Sequence, residues 1–367
     1  MRSSYFYLFF IVFGLGLFNS CHRGGSSNSS KAETGTVVDV NATYFTTANP
    51  NTVIKKVPCT LSDGSETDCY EIITKSIPVD HQMGPWCPDN ISDDASAGGI
   101  WLEEGKVYDV DGDFIKNLAT FYNDETWQMY DANGDVYITK TEEDCINAAN
   151  PNVGEAYENF CVECLPSFIH NVSQTFLIPV SPVLQTDASY FSRGPGPGGP
   201  GGPDGGKGPR GPEGQRPPKG EGGRNRPDGP GRPEDRGGQM NAVPSTRGLA
   251  LNGIEFSAPA PVDNILSAYT LAPFDNAGGH INVHQGYHYH AATGVSFSIE
   301  QSDGHAALIG YAMDGLGIYS HLDAEGNEAE DLDDCRGHYD EVRGYHYHVD
   351  AAGNNNFINC LQGAYVK

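Results

Sequence analysis

Nine of the twelve histidines in this chain fall between His280 and His348, and six of them follow a rule. Gly279-His280-Ile-Asn-Val-His-Gln-Gly286-Tyr287-His288-Tyr289-His290 aligns without a gap on Gly337-His338-Tyr-Asp-Glu-Val-Arg-Gly344-Tyr345-His346-Tyr347-His348, 58 residues later. In a strand alternate side chains share a face, so His288 and His290 point one way while Tyr287 and Tyr289 point the other. The same holds for His346 and His348 against Tyr345 and Tyr347. Two such strands side by side would present four imidazoles on one surface, and His280 and His338, reached through the turns at Gly286 and Gly344, would add two more. Neutral imidazole suits zinc, copper, iron or nickel; the spacing does not distinguish copper, zinc and iron. Asp275, Asp340 and Glu341 are near in sequence and are candidate oxygen ligands or outer partners of the histidines. Two other readings stay open: a Tyr–His hydrogen-bond network that specifies the fold, and a pair of acid–base histidines working without metal.

The elements that must position these residues are short strands. Trp127 to Tyr130 and Val136 to Thr139 flank Asn133-Gly134 and read as a hairpin. Val107 to Asp109 and Asp113 to Ile115 read similarly around Asp111-Gly112. Further strand candidates are Thr175 to Val180, Gly253 to Phe256, Val295 to Ile299, Ala307 to Tyr311 and Gly317 to Tyr319. Thr141 to Ala149 suggests a short helix with Thr141 and Asp144 as a capping pair. The fold class is therefore mainly β, a sandwich or distorted barrel of short strands with long loops. Asp131 to Glu142 imitates a calcium-binding EF-hand loop, but Val136 stands where the loop needs glycine and the flanks read as strands, which argues against calcium.

The first residues argue for export. Arg2 precedes an apolar run from Tyr5 to Phe18, too short for a spanning helix and shaped like a signal peptide over residues 1–20. Leu17-Phe18-Asn19-Ser20-Cys21 resembles a loose lipobox, which makes Cys21 a lipidation candidate and residues 21–35 a flexible tether. The expectation is an extracytoplasmic, membrane-anchored lipoprotein of the cell envelope, periplasmic or on the outer-membrane surface, with secretion after ordinary cleavage as the alternative. Eight further cysteines behind an export signal imply disulfides. Two pairs are expected, Cys59 with Cys69 and Cys335 with Cys360. Cys161-Val-Glu-Cys164 has the spacing of a redox or zinc motif, but no second such motif accompanies it, and structural disulfides are the plainer expectation.

The formal net charge of −26 weighs against nucleic acid as a partner. Residues 194–240 are almost wholly Gly, Pro and charged, so they cannot bury a core. Seven Gly-X-Y triplets from Gly196 to Arg216 invite a collagen reading, but the register breaks at Pro217 and a low-complexity, disordered insert is expected. This divides the chain into a β-rich part, residues 36–193, and a histidine-motif part, residues 241–367, read together as one composite domain.

The two GYHYH segments, with Asn252-Gly253-Ile254, Asp275 to His280, Ser302-Asp303-Gly304-His305, Ile309 to Gly315 and Leu332 to Cys335, resemble the YHYH domain family. Upstream, Ser76 to His81 and Phe176 to Pro182 resemble its N-terminal part. The resemblance implies secreted or surface-attached proteins with metal-binding histidine motifs, and it adds His81 and His305 as outer members of the site. It implies no particular reaction. After Asp314-Gly315 the family has Phe-Pro-Ile-Tyr-Gly, where this chain has Leu316-Gly317-Ile318-Tyr319-Ser320-His321. The reading that results is an exported metal-binding protein, with capture or sequestration slightly ahead of a metal-dependent hydrolase or oxidoreductase. A structural or adhesive surface protein without metal is the third possibility. Whether the protein is an enzyme stays open. The expected partners are a metal ion and, through the lipid, a membrane.

Overall fold

The computed structural model describes residues 37–148, 155–170, 172–191 and 245–367. The expected signal peptide, Cys21, the tether and the Gly/Pro-rich insert lie outside the described residues. Fifteen strands follow in chain order: β1 Val53–Thr60, β2 Glu66–Thr74, β3 Ile100–Glu103, β4 Lys106–Asp109, β5 Gln174–Pro179, β6 Leu184–Tyr190, β7 Gly248–Ala250, β8 Glu255–Phe256, β9 Gly279–Asn282, β10 Gly286–Tyr289, β11 Leu308–Ala312, β12 Gly317–Tyr319, β13 Gly337–Asp340, β14 Gly344–His348 and β15 Cys360–Gly363. The protein is mainly β, as the sequence indicates. Among the described residues there is no closed barrel: the largest sheet has eight strands in the order β13-β14-β12-β11-β7-β8-β10-β9 and ends at open edges, β13 and β9.

That order is a palindrome of two four-stranded units. Each unit is a tight hairpin, β7-β8 or β11-β12, whose second strand pairs in parallel with the outgoing strand of a histidine hairpin, β9-β10 or β13-β14. The units meet through the antiparallel pair β7-β11, where Leu249 stands opposite Tyr311. The same turn chemistry closes both inner hairpins, Asn252 Oδ1 accepting the Ile254 N–H and Asp314 Oδ1 accepting the Leu316 N–H. Both histidine hairpins turn through a side-chain acceptor, Asn282 for the His284 N–H and Asp340 for the Val342 N–H. Gly279 and Gly337 start their strands because the rings of Tyr287 and Tyr345 lie over them; a Cβ at either would overlap the ring.

Alternation decides which face each ring takes. Tyr287, Tyr289 and Tyr347 are at most 1% exposed and pack with Ala250, Phe256, Ile318 and Phe357 in one apolar layer. The histidines take the opposite face of the sheet. Each large aromatic buried this way contributes on the order of 2–3 kcal/mol through removed apolar area.

The remaining strands form smaller sheets, β1-β2-β5, β15-β6 and β3-β4. Strand β15, from the C-terminal segment, pairs with β6 from before the insert, and Val37 bridges to Gly344. The described part lies within one compact unit, Gly35–Lys367. Disulfides Cys59–Cys69 and Cys335–Cys360 are both present, with Cys87–Cys161 and Cys145–Cys164 beside them. The two cysteines of Cys161-Val-Glu-Cys164 are thus tied to different partners. Among the described residues no helix is long and apolar enough to cross a membrane.

Three local expectations differ from the structure. Asp111-Gly112 does not turn a hairpin: Asp111 accepts the Phe114 N–H at 2.7 Å and caps a helix, Gly112–Lys116, while β4 pairs back with β3. An aspartate beside a glycine serves either role, and the N-cap contact decides it. Val295 to Ile299 forms only the bridge Ile299 to Leu308. The segments around Asn133-Gly134 do turn back, with the Tyr137 N–H donating to Met129, but as an isolated bridge at Tyr130 and Val136 rather than a ladder. The capped helix is present as Glu142–Ala148, with Thr141 Oγ1 accepting the Asp144 N–H at 3.0 Å.

Candidate metal centres

The six motif histidines form two clusters, not one surface. His280, His288 and His290 converge in the first unit; His338, His346 and His348 converge in the second and are joined by His305. Four strands separate β10 from β14, which at about 4.8 Å per strand spacing places the clusters roughly 24 Å apart. The duplicated spacing reflects two copies of one hairpin, each building its own centre, rather than adjacent strands sharing a centre.

In the second unit the register sets His338 opposite His346. Their Nε2 atoms lie 3.0 Å apart, His305 Nε2 lies 3.0 Å from His346 Nε2, and His348 Nε2 lies 3.2 Å from His338 Nε2. The other nitrogen of each ring faces an acceptor. His346 Nδ1 meets the Gly344 carbonyl at 2.9 Å, His348 Nδ1 the Ser320 carbonyl at 3.0 Å and His305 Nδ1 the Ala306 carbonyl at 3.0 Å. His338 Nδ1 meets the Asp331 carboxylate at 2.6 Å. Carbonyl and carboxylate oxygens only accept, so each Nδ1 must carry the hydrogen. Four Nε2 lone pairs are thereby aimed at one point. Burial disfavours protonation of three of the rings: it pushes His346 down to about 4 and His348 down to about 3, and it lowers His305 as well.

The first unit repeats the plan with three rings. His280 stands opposite His288, with Nε2 atoms 3.1 Å apart, and His290 Nε2 lies 3.2 Å from His280 Nε2. His288 Nδ1 donates to the Gly286 carbonyl at 3.1 Å and His290 Nδ1 to the Ala258 carbonyl at 2.7 Å. Burial holds His280 and His290 well below the ordinary imidazole range, helped by the neighbouring rings, and it lowers His288 too. Phe274 packs on both His280 and His290, with ring centroids 5.2 and 5.3 Å away. Pro273 occupies the position equivalent to Asp331, so this centre has no counterpart to that carboxylate. Instead the three rings line a partly open, mostly apolar cavity of about 230 Å³ together with Trp86, Glu163 and Thr270.

The two donor sets fit a transition-metal ion. Nitrogen ligands at about 2.0–2.1 Å around a tetrahedral ion stand about 3.3–3.4 Å apart, close to the separations given above. The outer contacts are those that orient metal-bound imidazoles: a backbone carbonyl or carboxylate on the far nitrogen.

Other candidates lie elsewhere. His305, expected at the rim, is a direct member of the four-histidine cluster. It is delivered by a latch in which Arg343 donates to both Asp303 oxygens, at 2.6 and 2.5 Å, while Asp303 accepts the His305 N–H at 3.2 Å. The Arg343 guanidinium holds Asp303 down to about 2. His81 is in neither cluster. It lies on the tyrosine face, 2.9 Å from Asp80 and 3.3 Å from the Tyr287 hydroxyl. Asp275 is on that face too, accepting from Tyr287 at 2.8 Å, and Asp340 is occupied by Arg343 in its turn. Asp275 is thus bound on the tyrosine side, whereas Asp340 shares the strand face of His338 but is committed to the Arg343 guanidinium. Asp331 and Glu163 were not singled out from the sequence. Asp331 stands seven residues before His338, and only the position of its loop brings it to the ring.

Replacing Asp331 with asparagine is expected to weaken metal binding at the four-histidine centre by about 10–100-fold, with the three-histidine centre unaffected. Competition with a chromophoric chelator measures both; equal affinity at the four-histidine centre would remove Asp331 from its outer sphere.

The model of the YHYH protein family matches residues 230–331, so the chain carries a YHYH-family region, as its motifs indicate. The match contains the whole three-histidine centre and His305, and ends before His338. No curated protein matches the chain, and no solved structure does.

Proposed function

We propose, starting from this YHYH-family region, that the protein is an exported metal-binding protein with two separate centres of different character. The observation that carries the reading is the set of Nε2 lone pairs held 3.0–3.2 Å apart with the far nitrogens committed as donors. Buried lone pairs facing one another repel, and a cation between them turns repulsion into ligation. The candidate ions remain copper, zinc and iron. Four imidazoles complete a tetrahedral shell, the pattern of a structural site, so the second centre joins β13, β14 and the His305 loop. Three imidazoles beside a cavity leave a position for a further ligand, the pattern of a reactive site. Attachment to a membrane through Cys21 is part of the same proposal and rests on the N-terminal sequence.

Elemental mass spectrometry on the untagged protein, purified from an oxidising compartment, is expected to find two equivalents of transition metal per chain. Fewer than 0.2 equivalents, even after reconstitution with each candidate ion, would return the histidines to a hydrogen-bond or proton-transfer role.

A further inference from the structure

The cavity beside the three-histidine centre has one acidic residue in its lining, Glu163, and no lysine or arginine. Its backbone is fixed from several directions. The Glu163 N–H donates to Thr139 Oγ1 at 2.9 Å, and the same hydroxyl donates to the Glu163 carbonyl at 2.7 Å. Cys161 on one side is bonded to Cys87, and Cys164 on the other to Cys145. The Cys-Val-Glu-Cys segment therefore has neither redox nor zinc geometry. Its two disulfides hold a glutamate against the cavity wall. Burial raises the pKa of the carboxyl group, against the opposing effect of the Cys87 backbone N–H.

We infer that Glu163 is the proton-accepting residue of a hydrolytic centre, and that the cavity takes a small acyl compound such as a short-chain ester. The inference rests on the reading of His280, His288 and His290 as metal ligands. A bound ion would supply Lewis acidity at the three rings. Glu163 takes a proton from water as the water oxygen bonds to the carbonyl carbon. It returns that proton to the leaving oxygen as the carbon–oxygen bond breaks. Ester and water become acid and alcohol, no oxidant is consumed, and the carboxylate is regenerated. The size of the cavity, about 230 Å³, is below the roughly 300–1,000 Å³ of drug-sized ligand pockets, which limits the substrate to a small molecule.

The test uses the full chain loaded with cobalt(II), whose visible spectrum reports occupancy independently of turnover. The part of that spectrum lost in His288→Asn belongs to the three-histidine centre. Glu163→Gln is expected to keep that part, to lower kcat/KM for p-nitrophenyl acetate by about 10²–10⁴-fold and to remove the acid limb of its pH profile. Glu163→Asp is expected to restore that limb in part. A normal cobalt spectrum with no hydrolysis above that of free cobalt, or with Glu163→Gln fully active, overturns the inference and leaves the metal centre standing. No cobalt signal at the three-histidine centre overturns both.

Discussion

His346→Asn is expected to take one metal equivalent from the protein and leave the other in place, and His288→Asn is expected to do the same with the centres exchanged. The reason is architectural. Each centre is built from its own hairpin, with four strands between them, and substitutions this far apart act independently. His346 makes two of the close Nε2 approaches in its cluster, at 3.0 Å to His338 and 3.0 Å to His305, so its loss disconnects the set. The double substitution should leave no bound metal while the disulfide-linked fold persists. Elemental analysis with denaturant unfolding tests this; loss of both ions from either single variant would mean a shared centre and would sink the two-centre reading. The effect of pH has a definite sign. In the unfolded chain imidazoles take protons near pH 6.5, whereas folded His346 and His348 resist to about 4 and about 3. Between those values the unfolded state binds more protons. The metal-free protein therefore loses stability as pH falls from about 6.5 towards 4, and this contribution is complete above 6.5. His346→Asn should flatten the slope over that window.

Asp314→Ala is expected to destabilise the fold by about 3–5 kcal/mol, the cost of leaving several buried donors without an acceptor. Asp314 is 0% exposed. It accepts the Tyr347 hydroxyl at 2.6 Å, the Gly363 N–H at 2.9 Å and the Leu316 N–H at 3.1 Å. It thus ties a tyrosine of the motif to β15 and to the inner hairpin. The equivalent residue of the first unit is Asn252, and the difference has a cause. Asn252 faces an acceptor: its amide donates to both Asp80 oxygens, at 3.0 and 3.1 Å, and to the Tyr289 hydroxyl at 2.8 Å. Exchanging the two chemistries is therefore costly in each place. Asp314→Asn sets an amide hydrogen against the Gly363 N–H, and Asn252→Asp sets a carboxylate against Asp80. Each should cost about 1–3 kcal/mol. Urea unfolding midpoints measure all three variants; an Asp314→Ala protein within about 1 kcal/mol of wild type would show that Tyr347 and Gly363 find other partners.

The comparison of the two units also shows why the duplication was only partly legible. The histidine hairpins repeat at 58 residues, whereas the inner hairpins, Gly248 to Phe256 against Gly310 to Ile318, repeat at 62. A gapless search stops at the change of offset, so the sequence displays two hairpins and hides two complete units. Matching Asn252-Gly253-Ile254 to Asp314-Gly315-Leu316 would have exposed the larger repeat, and with it the prospect of two centres.

By itself the sequence determined what depends on local periodicity and side-chain chemistry. The alternation of Tyr and His fixed which ring faces the core and which faces the site. The spacing of His280 and His338 from their Gly-Tyr-His-Tyr-His partners implied a turn that returns them to the same face. It also suggested two of the disulfides, Cys59–Cys69 and Cys335–Cys360. Only the tertiary structure decided strand order, and strand order divides the histidines into two centres. Pairing β7 with β11 at the middle of the sheet sends the two hairpins to opposite edges, a long-range choice that no window of residues encodes. The same long-range packing makes His305 a fourth ring in one cluster and brings Glu163 to the cavity of the other. The centres differ because their surroundings were assembled from distant parts of the chain, although the hairpins that carry them are nearly the same.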